Sequence, residues 1–247
     1  MNKKLIFFVF LIVFTLIIIF VIYFIKKPTY SAVYRGRLIA FKYGCFNCHG
    51  FEGIGGIKNP GYKYDEIPPW QSDVQMMYIK DTSEIKEWIL YSKPLNREIN
   101  NKGLIKMPRY KGIIKDDELK DLLVYLKVLM GFINIDDSIA MKGYLIAKNL
   151  GCFGCHGDYG LGGMPNPNSL KGYIPGWDDE HFDKLVKNDD ELREWILKGK
   201  INRLKFINFV MERQVIKMPA YEGYITEDEL NALIYYIKWI RDKVKSL

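Results

Sequence analysis

The strongest hydrophobic pattern in the chain is an unbroken apolar run, Leu5 to Ile25, with no charged residue inside it. Lys3 and Lys4 precede it, and Lys26 and Lys27 follow it. Its 21 residues are enough to cross a bilayer as a helix. A cleavable signal peptide has an apolar core of about 7–15 residues and a small-residue cleavage site. This run is longer, and no good Ala-x-Ala site follows, so it reads as an uncleaved signal anchor with its N-terminus inside. Beyond it the pattern becomes helical. Leu119, Leu122, Leu123 and Leu126 recur at helical spacing in a segment that opens near Asp116 with an acidic first turn. A matching helix is expected from about Thr226. Earlier helices are expected over about 31–43 and 138–150, ending at Gly44 and Gly151. Short helices carrying Trp88 and Trp195 should start near Thr82-Ser83 and Asn188-Asp189. No strand pattern is comparably strong.

The matching elements are parts of a repeat. Gly36-Arg37-Leu38-Ile39-Ala40 recurs as Gly143-Tyr144-Leu145-Ile146-Ala147, Asn59-Pro60 as Asn166-Pro167, and Ile67-Pro68-Pro69-Trp70 as Ile174-Pro175-Gly176-Trp177. Glu87-Trp88-Ile89-Leu90 recurs as Glu194-Trp195-Ile196-Leu197, and all these pairs lie 107 residues apart. The offset becomes 111 where Lys106-Met107-Pro108-Arg109-Tyr110 meets Lys217-Met218-Pro219-Ala220-Tyr221, so the second copy carries four extra residues in a connecting loop. The chain divides into an anchor, 1–30, and two domains, 31–133 and 134–247. Gly36 and Gly143 are expected where the first helix of each copy crosses the last, near Tyr125 and Tyr236.

The formal charge of +7 shrinks to +3 once the four flanking lysines are set aside. Residues 28–133 carry +4 and residues 134–247 carry −1. No basic patch interleaved with aromatics is present, so nucleic acid is excluded as a partner. The polarity between the halves would steer different partners to each, or is ordinary solvated charge.

All four cysteines and two of the three histidines sit in Cys45-Phe46-Asn47-Cys48-His49 and Cys152-Phe153-Gly154-Cys155-His156. Cys-x-x-Cys-His is the attachment signature of c-type haem: the thiols form thioethers with the two vinyl groups, and the adjacent imidazole lies under the iron. A redox dithiol needs no following histidine, and a zinc site built from both copies would leave the rest of the repeat without purpose. A sixth ligand is then required for each iron. The remaining histidine, His181, cannot serve two haems, and its counterpart in the first copy is Val74. Beside Asp178, Asp179 and Glu180 it reads as a solvated surface residue. Methionine is the alternative, and only Met107 and Met218 match between the copies, both in Lys-Met-Pro-x-Tyr. The following proline stiffens the loop. A ligating histidine gives its other N–H to a carbonyl or carboxylate, for which Pro60 and Pro167 are the candidates. Trp70, Trp177, Tyr110 and Tyr221 either hydrogen-bond the haem propionates or pack against the haem edge.

Each half resembles a class I cytochrome c domain, through the leading helix with its glycine, the Cys-x-x-Cys-His site, the glycine-rich loop with Asn-Pro, the Met-Pro loop and the terminal aromatic helix. The resemblance implies an all-α fold of two tandem domains behind one transmembrane helix, two covalently bound haems c, and one-electron transfer on the extracytoplasmic, periplasmic face of the cytoplasmic membrane. The layout is similar to that of membrane-anchored dihaem cytochromes c, which occur as free carriers in respiratory chains or as subunits of cytochrome bc complexes and cbb-type oxidases. Expected partners are membrane lipid along Leu5–Ile25 and redox proteins, with no small-molecule substrate. A dihaem peroxidase would need an open iron site, against which the paired methionines argue.

Overall fold

The computed structural model describes residues 3–26, 30–71, 77–99, 102–169, 171–204 and 212–245. Val74, residues 27–29 and part of the longer second-copy connection lie outside them. The apolar run forms helix α1, Lys3–Lys26, whose 24 residues reach ~36 Å at 1.5 Å per residue. Its apolar stretch from Lys3 to Phe20 has a mean hydropathy of 2.7 and is not buried against the rest of the chain.

The first domain follows with α2 (Ala32–Lys42), the single-turn α3 (Phe46–His49), α4 (Thr82–Tyr91) and α5 (Asp116–Leu129). The second repeats the order with α6 (Ser138–Asn149), α7 (Phe153–His156), the short α8 (Phe182–Leu185), α9 (Asp189–Lys198) and α10 (Glu227–Val244). The starts are chemical. Ser31, Asp81, Asp137, Asn188 and Thr226 each accept a hydrogen bond from a backbone N–H of the first turn they cap. The first-copy Trp helix starts at Thr82, as expected, but its cap is Asp81, whose carboxylate takes the Ser83 and Glu84 N–H groups. The extended structure is minimal: Met164–Pro165 pairs antiparallel with Tyr173–Ile174, and an isolated bridge joins Lys58 to Glu66.

Two helix crossings build the frame, α2 on α5 and α6 on α10. At each, a glycine admits the partner backbone. A Cβ on Gly36 would strike the Asp121 carbonyl and the Tyr125 Cβ, and one on Gly143 would strike the Ala232 carbonyl and the Tyr236 Cβ. Arg35 locks the first crossing from outside with a bidentate pair to Asp121, at 2.6 and 2.8 Å.

The two domains share one core. Val33 touches Gly162, Tyr34 stacks near Tyr173 at 5.1 Å between ring centroids, and Tyr30 meets Tyr173 edge-on at 5.0 Å. Asp178 hydrogen-bonds Ser31, and the Gln71 amide donates to Asp158 at 3.0 Å. The start of α2 is therefore covered by the loops that follow Cys-x-x-Cys-His in the second domain.

Candidate haem-binding sites

The local geometry of each Cys-x-x-Cys-His turn is set by what precedes it. The chain leaves α2 through Gly44 and α6 through Gly151, both at positive φ, and the Cys45 and Cys152 N–H groups return to the Ala40 and Ala147 carbonyls at 2.9 Å. The single turns α3 and α7 then put both thiols and the imidazole of each motif on one side. None of the four thiols is in a disulfide. Burial pushes the Cys45 and Cys152 thiols up to about 11, the reverse of the depressed values that make redox dithiols reactive. Among the described residues, no three His, Cys, Asp or Glu side chains converge on one point, so the two motifs do not pool their thiols.

Each histidine is fixed by its Nδ1. In His49 it lies 2.9 Å from the Pro68 carbonyl oxygen, and in His156 2.9 Å from that of Pro175. A carbonyl only accepts, so Nδ1 carries the proton and Nε2 keeps its lone pair. Burial lowers both imidazole pKa values, which keeps the rings neutral, the state that binds metal. Pro60 and Pro167 do not supply this acceptor, contrary to the expectation above. They stand 11 residues after the histidine, whereas the acceptors stand 19 after it, where the glycine-rich loop has folded back. The return is tight: a Cβ on Gly56 would strike the Ile67 carbonyl. Pro60 and Pro167 face the methionine loop, their carbonyls accepting from Leu104 N at 3.0 Å and Val215 N at 3.2 Å.

The neighbouring asparagines, which the sequence marks only as half of a repeated dipeptide, hold that loop. Asn59 is 1% exposed and clamps both backbone groups of one residue, its Oδ1 accepting from Ile105 N at 2.8 Å and its Nδ2 donating to Ile105 O at 3.0 Å. Asn166, also 1% exposed, does the same with Ile216, at 2.9 Å both ways. From the other side, Tyr110 N donates to Ile89 O and Tyr221 N to Ile196 O, each at 3.1 Å. Ser92 Oγ adds a bond to the Met107 carbonyl at 2.6 Å.

The aromatic residues divide by role. Trp70 and Trp177 are buried beside the histidines, with ring centroids 4.9 Å from His49 and 5.5 Å from His156. The Tyr110 and Tyr221 hydroxyls donate to the Tyr43 and Leu150 carbonyls, at 3.1 and 3.0 Å, and so tie the methionine loop to the cysteine turn. Trp88 and Trp195 brace the opposite wall through Nε1–H bonds to Tyr78 O at 2.9 Å and Leu185 O at 3.1 Å. His181 is not the solvated residue expected. Its side chain is 16% exposed, and Nδ1 sits 2.9 Å from a carboxylate oxygen of the buried Asp179.

These walls enclose a cavity in the first domain with about 1210 Å³ of empty space, part of it open to solvent. Cys45, Cys48 and His49 line one part and Met107 another, with apolar side chains such as Ile85, Leu122 and Leu126 between them. The donor set fits haem c: two thiols for the vinyl groups, a neutral imidazole, a soft thioether and an apolar cradle. The matched hydrogen bonds of the second domain place Cys152, Cys155, His156 and Met218 in the same frame.

A mostly helical frame that gathers Cys-x-x-Cys-His and a methionine loop around an apolar cavity defines a c-type cytochrome. The chain belongs to the cytochrome c family, whose model matches it twice, over residues 33–129 and 140–241. Membership brings covalently bound haem and haem-based electron transfer. No curated protein matches the chain. Among solved structures it is similar to a chain of the Kuenenia stuttgartiensis reducing HAO-like protein complex, at 16% identity. That match covers 87% of this chain and 97% of the other, with a TM-score of 0.29, a likeness too loose to carry any argument.

Proposed function

We propose that the protein is a membrane-anchored dihaem cytochrome c that carries electrons in a respiratory chain, from a quinol-oxidising complex towards a terminal oxidase or reductase. In this reading residues 1–30 are the anchor in the cytoplasmic membrane, and residues 31–133 and 134–247 are two haem domains on its outer face. Cys45 and Cys48 would hold the first haem covalently, with His49 and Met107 as the axial pair. Cys152 and Cys155 would hold the second, with His156 and Met218. Bound there, haem supplies a one-electron Fe(II)/Fe(III) couple.

The protein's own residues do the rest. The Pro68 and Pro175 carbonyls orient the imidazoles and raise their basicity, the asparagine clamps hold each methionine loop in place, and the buried tryptophans exclude water from the histidine side. The observation that carries the reading is the cavity uniting Cys45, Cys48, His49 and Met107, with the histidine, asparagine, tyrosine and tryptophan hydrogen bonds that frame it recurring in the second copy. The test is the full-length protein purified from membranes. A pyridine haemochrome assay should give two haems per chain, and the ferric spectrum should show the methionine-to-iron band at its red edge with two-haem intensity. One haem per chain, or a high-spin ferric spectrum, would sink the proposal.

A further inference from the structure

The two methionine loops share a backbone but not a surface. Residues 102–115 carry Lys102, Lys106, Arg109, Lys111 and Lys115 with no Asp or Glu, a charge of +5, and all five are exposed. The matching residues 213–226 carry Arg213, Lys217 and Glu222, a charge of +1. The loss falls at three positions, where Arg109, Lys111 and Lys115 face Ala220, Glu222 and Thr226. The apolar part of the surface is kept, with Leu104 at 77% and Ile113 at 62% exposure answered by Val215 at 65% and Tyr224 at 80%. The acidic first turn after the loop is ion-paired in both domains, by Lys42 to Glu118 in the first and by Arg193 to Glu227 in the second, each at 2.5 Å, so the difference lies in the loops themselves. Lys106 and Pro108 line the mouth of the cavity, so this charge surrounds the place where an electron would enter or leave.

We infer that the methionine-loop face of the first domain docks a redox protein with an acidic surface, and that the same face of the second domain does not. The inference rests on the proposed electron-carrier function. It follows from what the two copies hold constant and what they change. Both present a pair of exposed apolar side chains suited to close contact, while only one adds the ring of cations that steers an acidic partner and speeds its encounter.

The test uses the full-length holoprotein in phosphatidylcholine nanodiscs. The probe is a dithionite-reduced acidic [2Fe–2S] ferredoxin, which gives up one electron from its cluster as one ferric haem iron becomes ferrous. The variant Arg109→Ala/Lys111→Glu/Lys115→Thr transplants the second domain's residues onto the first, and Ala220→Arg/Glu222→Lys/Thr226→Lys does the reverse. At low salt, the first should cut the second-order rate on the order of tenfold and flatten its salt dependence, while the second should raise the rate. Near 1 M salt, where screening acts over about 3 Å, all three proteins should converge. An unchanged rate in the first variant overturns the inference, as does a rate that responds only to the second. Loss of the first variant's effect in phosphatidylglycerol discs also overturns it, assigning the face to lipid. Reduction by uncharged durohydroquinone should be equal in all three. Its failure in the wild type would count against the electron-carrier reading itself, not against the docking face.

Discussion

Replacing Asn59 with alanine tests how the fold holds the methionine loop. The change removes two side-chain hydrogen bonds, to Ile105 N at 2.8 Å and to Ile105 O at 3.0 Å, from a residue only 1% exposed. Each such bond contributes about 1 kcal/mol net, and backbone groups left unpaired in a partly buried place add to the loss. The expected destabilisation is about 2–4 kcal/mol in guanidinium denaturation of the holoprotein. Met107 lies two residues beyond the clamped Ile105, so on the proposed ligation the red-edge ferric band should lose intensity from one haem and leave the other's in place. Asn166→Ala should mirror this in the second domain. Asn59→Asp separates the two bonds: it keeps an acceptor for Ile105 N–H, removes the donor to Ile105 O and buries a charge, so it should be no better than alanine. A variant Asn59→Ala within ~0.5 kcal/mol of wild type, with the full band, would refute the clamp.

Three further outcomes follow from the geometry. Gly36→Val or Gly143→Val should lower the melting temperature sharply, because the new side chain meets backbone, whereas Gly55→Ala, with open space around it, should not; equal effects would remove the crossing argument. Trp88→Phe should cost about 1 kcal/mol through the lost bond to Tyr78 O, and a neutral result in denaturant melts would contradict that role. The bonds from Lys42 and Tyr43 hold the Glu118 carboxyl down to about 2, below its ordinary 4.5. Because the folded value is depressed, the stabilisation is present above pH 4.5 and is lost as pH falls towards 2. A carbon-detected NMR titration should place the Glu118 midpoint near 2, and Lys42→Ala should move it up; a wild-type midpoint near 4.5 would contradict the pair.

Much of this was legible because the chain states it twice. The repeated glycines located both helix crossings, and Cys-x-x-Cys-His located both cysteine turns. The histidine acceptor was misplaced because loop reach is invisible in sequence. Pro60 is nearer along the chain, yet the close approach of Gly56 to Ile67 O swings Pro68 beneath the ring. The Ile-Pro-x-Trp repeat held the signal, since a tryptophan that must stack on a histidine brings the residues before it along. The asparagine clamps were hidden for a similar reason: a buried amide that pairs both backbone groups of one residue looks, in sequence, like an ordinary turn residue. The paired Tyr30, Tyr34 and Tyr173 rings and the Gln71–Asp158 bond have no counterpart in the repeat pattern, because they join the copies to each other.

That junction also makes each half a wall of the other. Tyr30 to Tyr34, which open the first domain, are wedged against the loops of the second. The same few residues that start one helix thus serve as a keystone for its neighbour, and loosening either half strips cover from both.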